Sequence, residues 1–173
     1  MFIRKFAISA PIFLFIYILQ EAFVSQLRLA GGGFSLFFIF TIIWCALSIP
    51  EIGAMVGFGA GLLMDLSQST SGPVGHWTLI MIMTGFAAGY LGYGDNNFRS
   101  SPISLIFLTA AAIFVARLAY YILGLLLGSE AGSLLHTFSL LIGQSIWTLV
   151  VAPFLVPVVT WVHALVYETR SHI

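Results

Sequence analysis

Charge is the scarcest property of this chain: only 7% of its 173 residues are Asp, Glu, Lys or Arg, six basic against six acidic, for a formal net charge of zero. No run of Lys and Arg occurs anywhere, so the electrostatic footprint that a nucleic acid partner requires is missing. Cysteine is nearly absent as well. The single Cys45 sits inside an apolar run, which excludes an intrachain disulfide framework or a thiolate metal cluster. There is no glycine-rich phosphate loop and no connection long enough to be a soluble domain, so no nucleotide-driven cycle is expected of this chain alone. The roughly ten-residue alternation of an outer-membrane barrel strand is also missing. What fills the chain is apolar: 60% of the residues are hydrophobic and 15% aromatic. A backbone in hydrocarbon must satisfy its own amides, so the composition predicts an all-α integral membrane protein, one polytopic domain over residues 1–173.

Turn chemistry divides the chain into six predicted membrane helices at about 6–27, 34–49, 52–66, 77–94, 103–127 and 134–166. The N-terminus resembles a signal peptide, but its apolar run is too long and no small-residue cleavage site follows, so it is expected to remain as the first span. The second and third segments fall short of the ~20 residues that cross ~30 Å of hydrocarbon and must tilt, thin the bilayer or re-enter. The last is long and contains Pro153 and Pro157, which predicts a kink. With a cytoplasmic N-terminus, six spans place Arg4, Lys5, Arg99 and Arg170 inside and Arg28 outside, in agreement with the positive-inside rule. Both termini are then cytoplasmic. A five-span reading would move Arg99 and Arg170 outside.

Within this topology three ionisable side chains share a level. At 1.5 Å per residue, Glu21, Asp65 and Arg117 each lie about 20–22 Å from the cytoplasmic end of their helices. An unpaired charge at that depth costs at least ~2–3 kcal/mol, so the three are expected to pair, with Arg117 flanked by Asp65 and Glu21. Such a triad can lock helices together or line a cavity for a ligand or lipid headgroup. Alternatively, its carboxylates reach the outer interface. Asp65 is expected to end the third helix and to tie down the Ser67–Pro73 turn, with Gly72 and Gly75 giving freedom around Pro73 and Arg117 as counter-charge.

Glycines recur four apart: Gly53, Gly57 and Gly61, then Gly85 and Gly89, then Gly124 and Gly128. Residues four apart share a helix face, where glycine lets another backbone approach, either within the protein or from a partner helix. Catalytic candidates are few. Ser145 and His163 fall on one predicted helix, about 27 Å apart at 1.5 Å per residue, too far for a serine and its base. His76, His136 and His163 form no i, i+4 pair, so neither a metal nor a cofactor is expected. His76 and Trp77 open the fourth span and read as an interfacial anchor.

GlyLeuLeuMetAspLeu (61–66), a Ser/Thr/Gly turn, ProValGly (73–75) and the glycine-spaced span GlyPheAlaAlaGlyTyrLeuGly (85–92) resemble the signature of the rod-shape-determining protein MreD family. The overall length, basic N-terminus and cytoplasmic C-terminus fit loosely, while residues 57–92 fit specifically. His76 and Trp77 depart from the family pattern, which has smaller aliphatic residues there, and the turn is more polar. The resemblance implies a non-enzymatic subunit of the bacterial inner membrane. It would associate with MreC and, through it, with MreB filaments and the peptidoglycan synthases, a SEDS glycosyltransferase and a class B penicillin-binding protein. Gly57, Gly61, Asp65, Pro73 and Gly75 would be its structural or partner-contact residues. The family is similar in architecture to the substrate-binding subunits of energy-coupling-factor vitamin transporters, which supplies the alternative function. Against that alternative, the Ala-x-x-x-Ala docking pattern of such subunits is absent from the first helix, where Ala7 and Ala10 are three apart.

Overall fold

LeuPhePheIlePheThrIleIleTrpCysAlaLeu presents an apolar or hydroxyl side chain in every direction, and a helix of that kind is stable only when surrounded. The computed structural model describes residues 2–26, 33–67, 73–94, 101–128 and 134–168, and in it this segment is the centre of the molecule. Among the described residues there are six α-helices and no strand: α1 Phe2–Ala22 with a 3-10 turn at Val24–Gln26, α2 Leu36–Leu47, α3 Pro50–Asp65, α4 His76–Gly94, α5 Pro102–Leu126 and α6 Leu134–Glu168. Helix α2 packs against all five others, and Phe37 to Leu47 are buried without exception. Its ends are closed locally. The Ser35 hydroxyl accepts from Phe38 N at 3.3 Å, and the Gln20 Oε1 of α1 accepts from Leu36 N at 2.7 Å. The buried Thr41 and Thr109 hydroxyls donate to carbonyls one turn back, at 2.8 and 2.7 Å, so neither strands a donor in the apolar core.

Contacts give the helix directions. Phe13 meets Phe37, Phe40 and Trp44 edge-on while Gln20 reaches Leu36, so α1 runs antiparallel to α2. Phe34 faces Trp147 and Trp44 faces His163, so α6 runs parallel to α2. Successive helices alternate, and the first helix begins at the same end of the bundle at which the last one finishes.

The helices match the predicted segments to within a few residues at most boundaries. The largest difference is at α1, which starts four residues earlier and stops at Ala22, giving way to the 3-10 turn. Helix α6 runs unbroken through Pro153 and Pro157. Two helices, Pro102–Leu126 and Thr137–Tyr167, are long and apolar enough to cross a membrane, and most of each is left uncovered by the rest of the protein. By contrast, α2 and α3, of 12 and 16 residues, extend only about 18 and 24 Å at 1.5 Å per residue. Arg28, Arg99 and Arg170, on which the expected orientation rests, lie outside the described residues, as do residues 68–72 of the turn.

Candidate functional site

The glycines of α3 turn out to be the contact face of a hairpin with α4. A Cβ added at Gly57 would overlap the carbonyl of Met81, one at Gly61 the backbone of Thr78, and one at Gly53 the carbonyl oxygen of Gly85. Pairs whose numbers rise on one helix as they fall on the other mark antiparallel strands of backbone in direct contact, which only glycine permits. Gly89 and Gly92 do the same for α4 against the α2–α3 corner: an added Cβ would come within 3.0 Å of Pro50 Cα at the first and overlap the Ala46 carbonyl at the second. Internal packing therefore accounts for these stripes. Gly59 faces the other way, toward a groove of about 300 Å³ between α1 and α3, where an added Cβ would meet nothing within 4 Å.

This backbone contact delivers Asp65, the last residue of α3, to the beginning of α4. Gly75 precedes α4 with φ of +95°, a conformation strained for any residue with a Cβ, and it has no side chain with which to cap the helix. Asp65 does so from outside. Its Oδ1 accepts from Trp77 N at 3.0 Å, while Oδ2 accepts from Gly75 N at 3.0 Å, Thr78 N at 2.9 Å and the Thr78 hydroxyl at 2.6 Å. His76 N donates to the Pro73 carbonyl at 3.2 Å, and Leu79 N to Gly75 O opens the intrahelical series at 3.0 Å. Every first-turn amide of α4 thus has an acceptor, and the positive end of the α4 dipole offsets the unfavourable position of Asp65 at the C-terminus of α3.

The expected triad does not form. Among the described residues no hydrogen bond or ion pair joins Arg117 to Asp65 or Glu21; the guanidinium carbon instead lies 5.8 Å from the centroid of the Phe38 ring and 6.0 Å from that of Trp77. Asp65 has its donors from α4, and Glu21 Oε1 accepts from the Ser67 hydroxyl at 2.8 Å, tying the end of α1 to the residue after α3. Depth along a helix places groups at one level, but rotation about the axis decides which of them face each other. The anchoring role of Asp65 stands in a different form: its partners are backbone amides of α4 rather than Arg117, and the turn residues 68–72 cannot be assigned to it.

His76 and Trp77 are also not interfacial anchors. They are 5% and 7% exposed and stack on the same Tyr120 ring of α5, at 4.2 and 4.3 Å between centroids. Around them four buried polar atoms have no hydrogen-bond partner: both ring nitrogens of His76, Arg117 Nε and Tyr121 Oη. A charge at the centre of a membrane helix costs ~2.5–3.5 kcal/mol on insertion scales. Two ring contacts at the edge of cation–π range, each worth roughly 0.5–2 kcal/mol, attract the guanidinium but give its N–H groups no acceptor.

At the opposite end, His163 Nε2 is 3.3 Å from the Ser48 hydroxyl and its ring stacks on Tyr167 at 4.4 Å. The Ser48 hydroxyl also lies 2.9 Å from the Trp44 carbonyl, an acceptor that competes with His163 for its one proton. Ser145 donates to the Leu141 carbonyl at 2.8 Å on the same unbroken helix as His163.

The residues that sequence reasoning missed are the donors to Asp65, the Thr78 hydroxyl and the amides at 75, 77 and 78 around the start of α4, and Tyr120 on α5. A glycine at the N-cap, unable to close its own helix, was the available signal for the first group. The chain is thus an all-α bundle in which two helices are able to span a membrane. No protein-family model, curated protein or solved structure matches it.

Proposed function

We propose that this chain is a multi-pass protein of the bacterial inner membrane and a non-enzymatic scaffold of the cell-elongation machinery, of the MreD type that its residues 57–92 resemble. In this reading it holds an MreC-type partner and, through it, MreB filaments and the peptidoglycan synthases, with both termini in the cytoplasm. The observation that carries the reading is the use of the motif. Gly57 and Gly61 bring two backbones together, Asp65 closes α4, and Gly75 supplies the left-handed turn, so each of these residues shapes one rigid hairpin. A signature made of shape-determining residues suits a protein whose task is to hold others.

Membrane placement is supported by the outside of the bundle. Phe15, Phe107, Phe154 and Trp161 are each more than half exposed on three different helices, a distribution that water disfavours and hydrocarbon satisfies. A second reading, a substrate-binding subunit of a transporter, draws on the unsatisfied polar atoms of His76, Arg117 and Tyr121. Co-purification in detergent with the MreC-type partner, together with restoration of rod shape in a strain lacking its own MreD-type protein, tests the scaffold reading. Failure of both, with capture of a transporter energising module, would establish the second.

A further inference from the structure

We propose that Arg117 and His76, with Tyr121, hold a phosphate-type oxyanion at the α4–α5 face. This goes beyond the scaffold reading and requires only that the chain lie in a membrane. Of these three, His76 and Arg117 are linked through rings, His76 on Tyr120, Tyr120 on Trp77, and Trp77 beside the Arg117 guanidinium, while Tyr121 follows Arg117 by four residues on the same face of α5. Each keeps at least one buried polar atom without a partner, and His76 does so while 5% exposed.

Each member of the set can donate. Arginine offers only N–H groups in a fork matched to phosphate, a neutral imidazole always carries one N–H, and a phenol can donate its proton. A ligand that supplies acceptors and negative charge answers the guanidinium, the imidazole N–H and the phenol proton together, which an apolar molecule does not. Among the described residues no carboxylate takes that part: Asp65 already accepts four hydrogen bonds, and Glu21 accepts from Ser67. The α4 amides are occupied by Asp65 and are not part of the site. Arg117 lies nine residues before the end of α5, about 14 Å at 1.5 Å per residue, and a long side chain can lift a guanidinium toward the headgroup layer from there. The phosphate can belong to a lipid headgroup or be free in solution, and the test separates the two.

The full chain in neutral detergent is titrated with short-chain phosphatidic acid, with the diacylglycerol of the same chains, and with inorganic phosphate, following the melting temperature and bound mass by native mass spectrometry. The expected result is a saturable shift with phosphatidic acid and none with diacylglycerol. An equal response to inorganic phosphate assigns the free ion, and its absence assigns the lipid. Arg117→Met should weaken binding at least about ten-fold, with Arg117→Lys retaining part. His76→Phe, which preserves stacking on Tyr120, should weaken it less. No saturable shift with either phosphate probe overturns the proposal; this is the outcome expected if an acidic residue outside the described segments answers the guanidinium. Binding by Arg117→Met equal to wild type also overturns it. If that variant does not fold, His76→Phe and the wild-type comparison of the two lipids decide. Association with the MreC-type partner is scored separately, so failure of this site and failure of the scaffold reading are distinguishable.

Discussion

The α3–α4 hairpin surrounds Asp65 with four donors, whereas among the described residues the guanidinium of Arg117 on α5 has two aromatic rings beside it and no carboxylate. Both groups sit toward the same end of the bundle, yet their surroundings differ because of what each helix can bring close. Glycines let α3 and α4 meet backbone to backbone, so the first-turn amides of α4 come within hydrogen-bond distance of Asp65. Helix α5 meets α4 and α2 through the rings of Tyr120, Trp77 and Phe38, and rings leave a charge with little to bind. A closed carboxylate holds a structure together, whereas a guanidinium without an acceptor still has hydrogen bonds to give.

The strongest way to break the contrast is Asp65→Leu. It strands the amides of Gly75, Trp77 and Thr78 and should cost about 3 kcal/mol or more, since each partly buried amide left without an acceptor costs roughly 1–3 kcal/mol. Denaturant unfolding in mixed micelles is the readout, and a loss under 1 kcal/mol would mean that water replaces the carboxylate. Next in size, Gly57→Ala and Gly61→Ala should each destabilise by about 2 kcal/mol, because the new methyl meets backbone that cannot rotate away. Gly59→Ala, two residues from either, should change sign and stabilise by roughly 0.5–1 kcal/mol, as the groove leaves room and alanine is the better helix former. If all three behave alike, helix propensity and not the hairpin contact governs this face.

A smaller effect is expected for Asp65→Asn, about 1 kcal/mol, since one amide oxygen survives to accept while the charge assistance is lost. The smallest is a coupling. In a double-mutant cycle between Arg117→Met and Asp65→Asn the interaction energy should stay below about 0.5 kcal/mol, because the two side chains do not pair. A coupling above 1 kcal/mol would restore the ion pair that helix depth alone suggests.

Much of the helical layout was legible without coordinates. Leu36–Leu47 is apolar on every side and bounded by GlyGlyGlyPheSer and SerIlePro, so both its helicity and its need for cover follow from composition and turn residues. The glycine spacing on α3 and α4 likewise announced close approach, since periodicity and side-chain size are local properties. The pairing of Glu21, Asp65 and Arg117 was not legible. Rise per residue is the same for every helix and can be counted along the chain, whereas the azimuth of each helix in the bundle is set by how all the others pack. The rotation of each helix within the bundle aimed Asp65 at the α4 amides and left Arg117 over Phe38 and Trp77. The same rotation buried His76 and Trp77 against Tyr120 instead of setting them at a membrane surface. The sequence by itself therefore determined which residues form helices and how near two backbones can come. Only the tertiary structure decided which polar atoms face one another, because that depends on orientation about each axis, for which a linear chain carries no local signal.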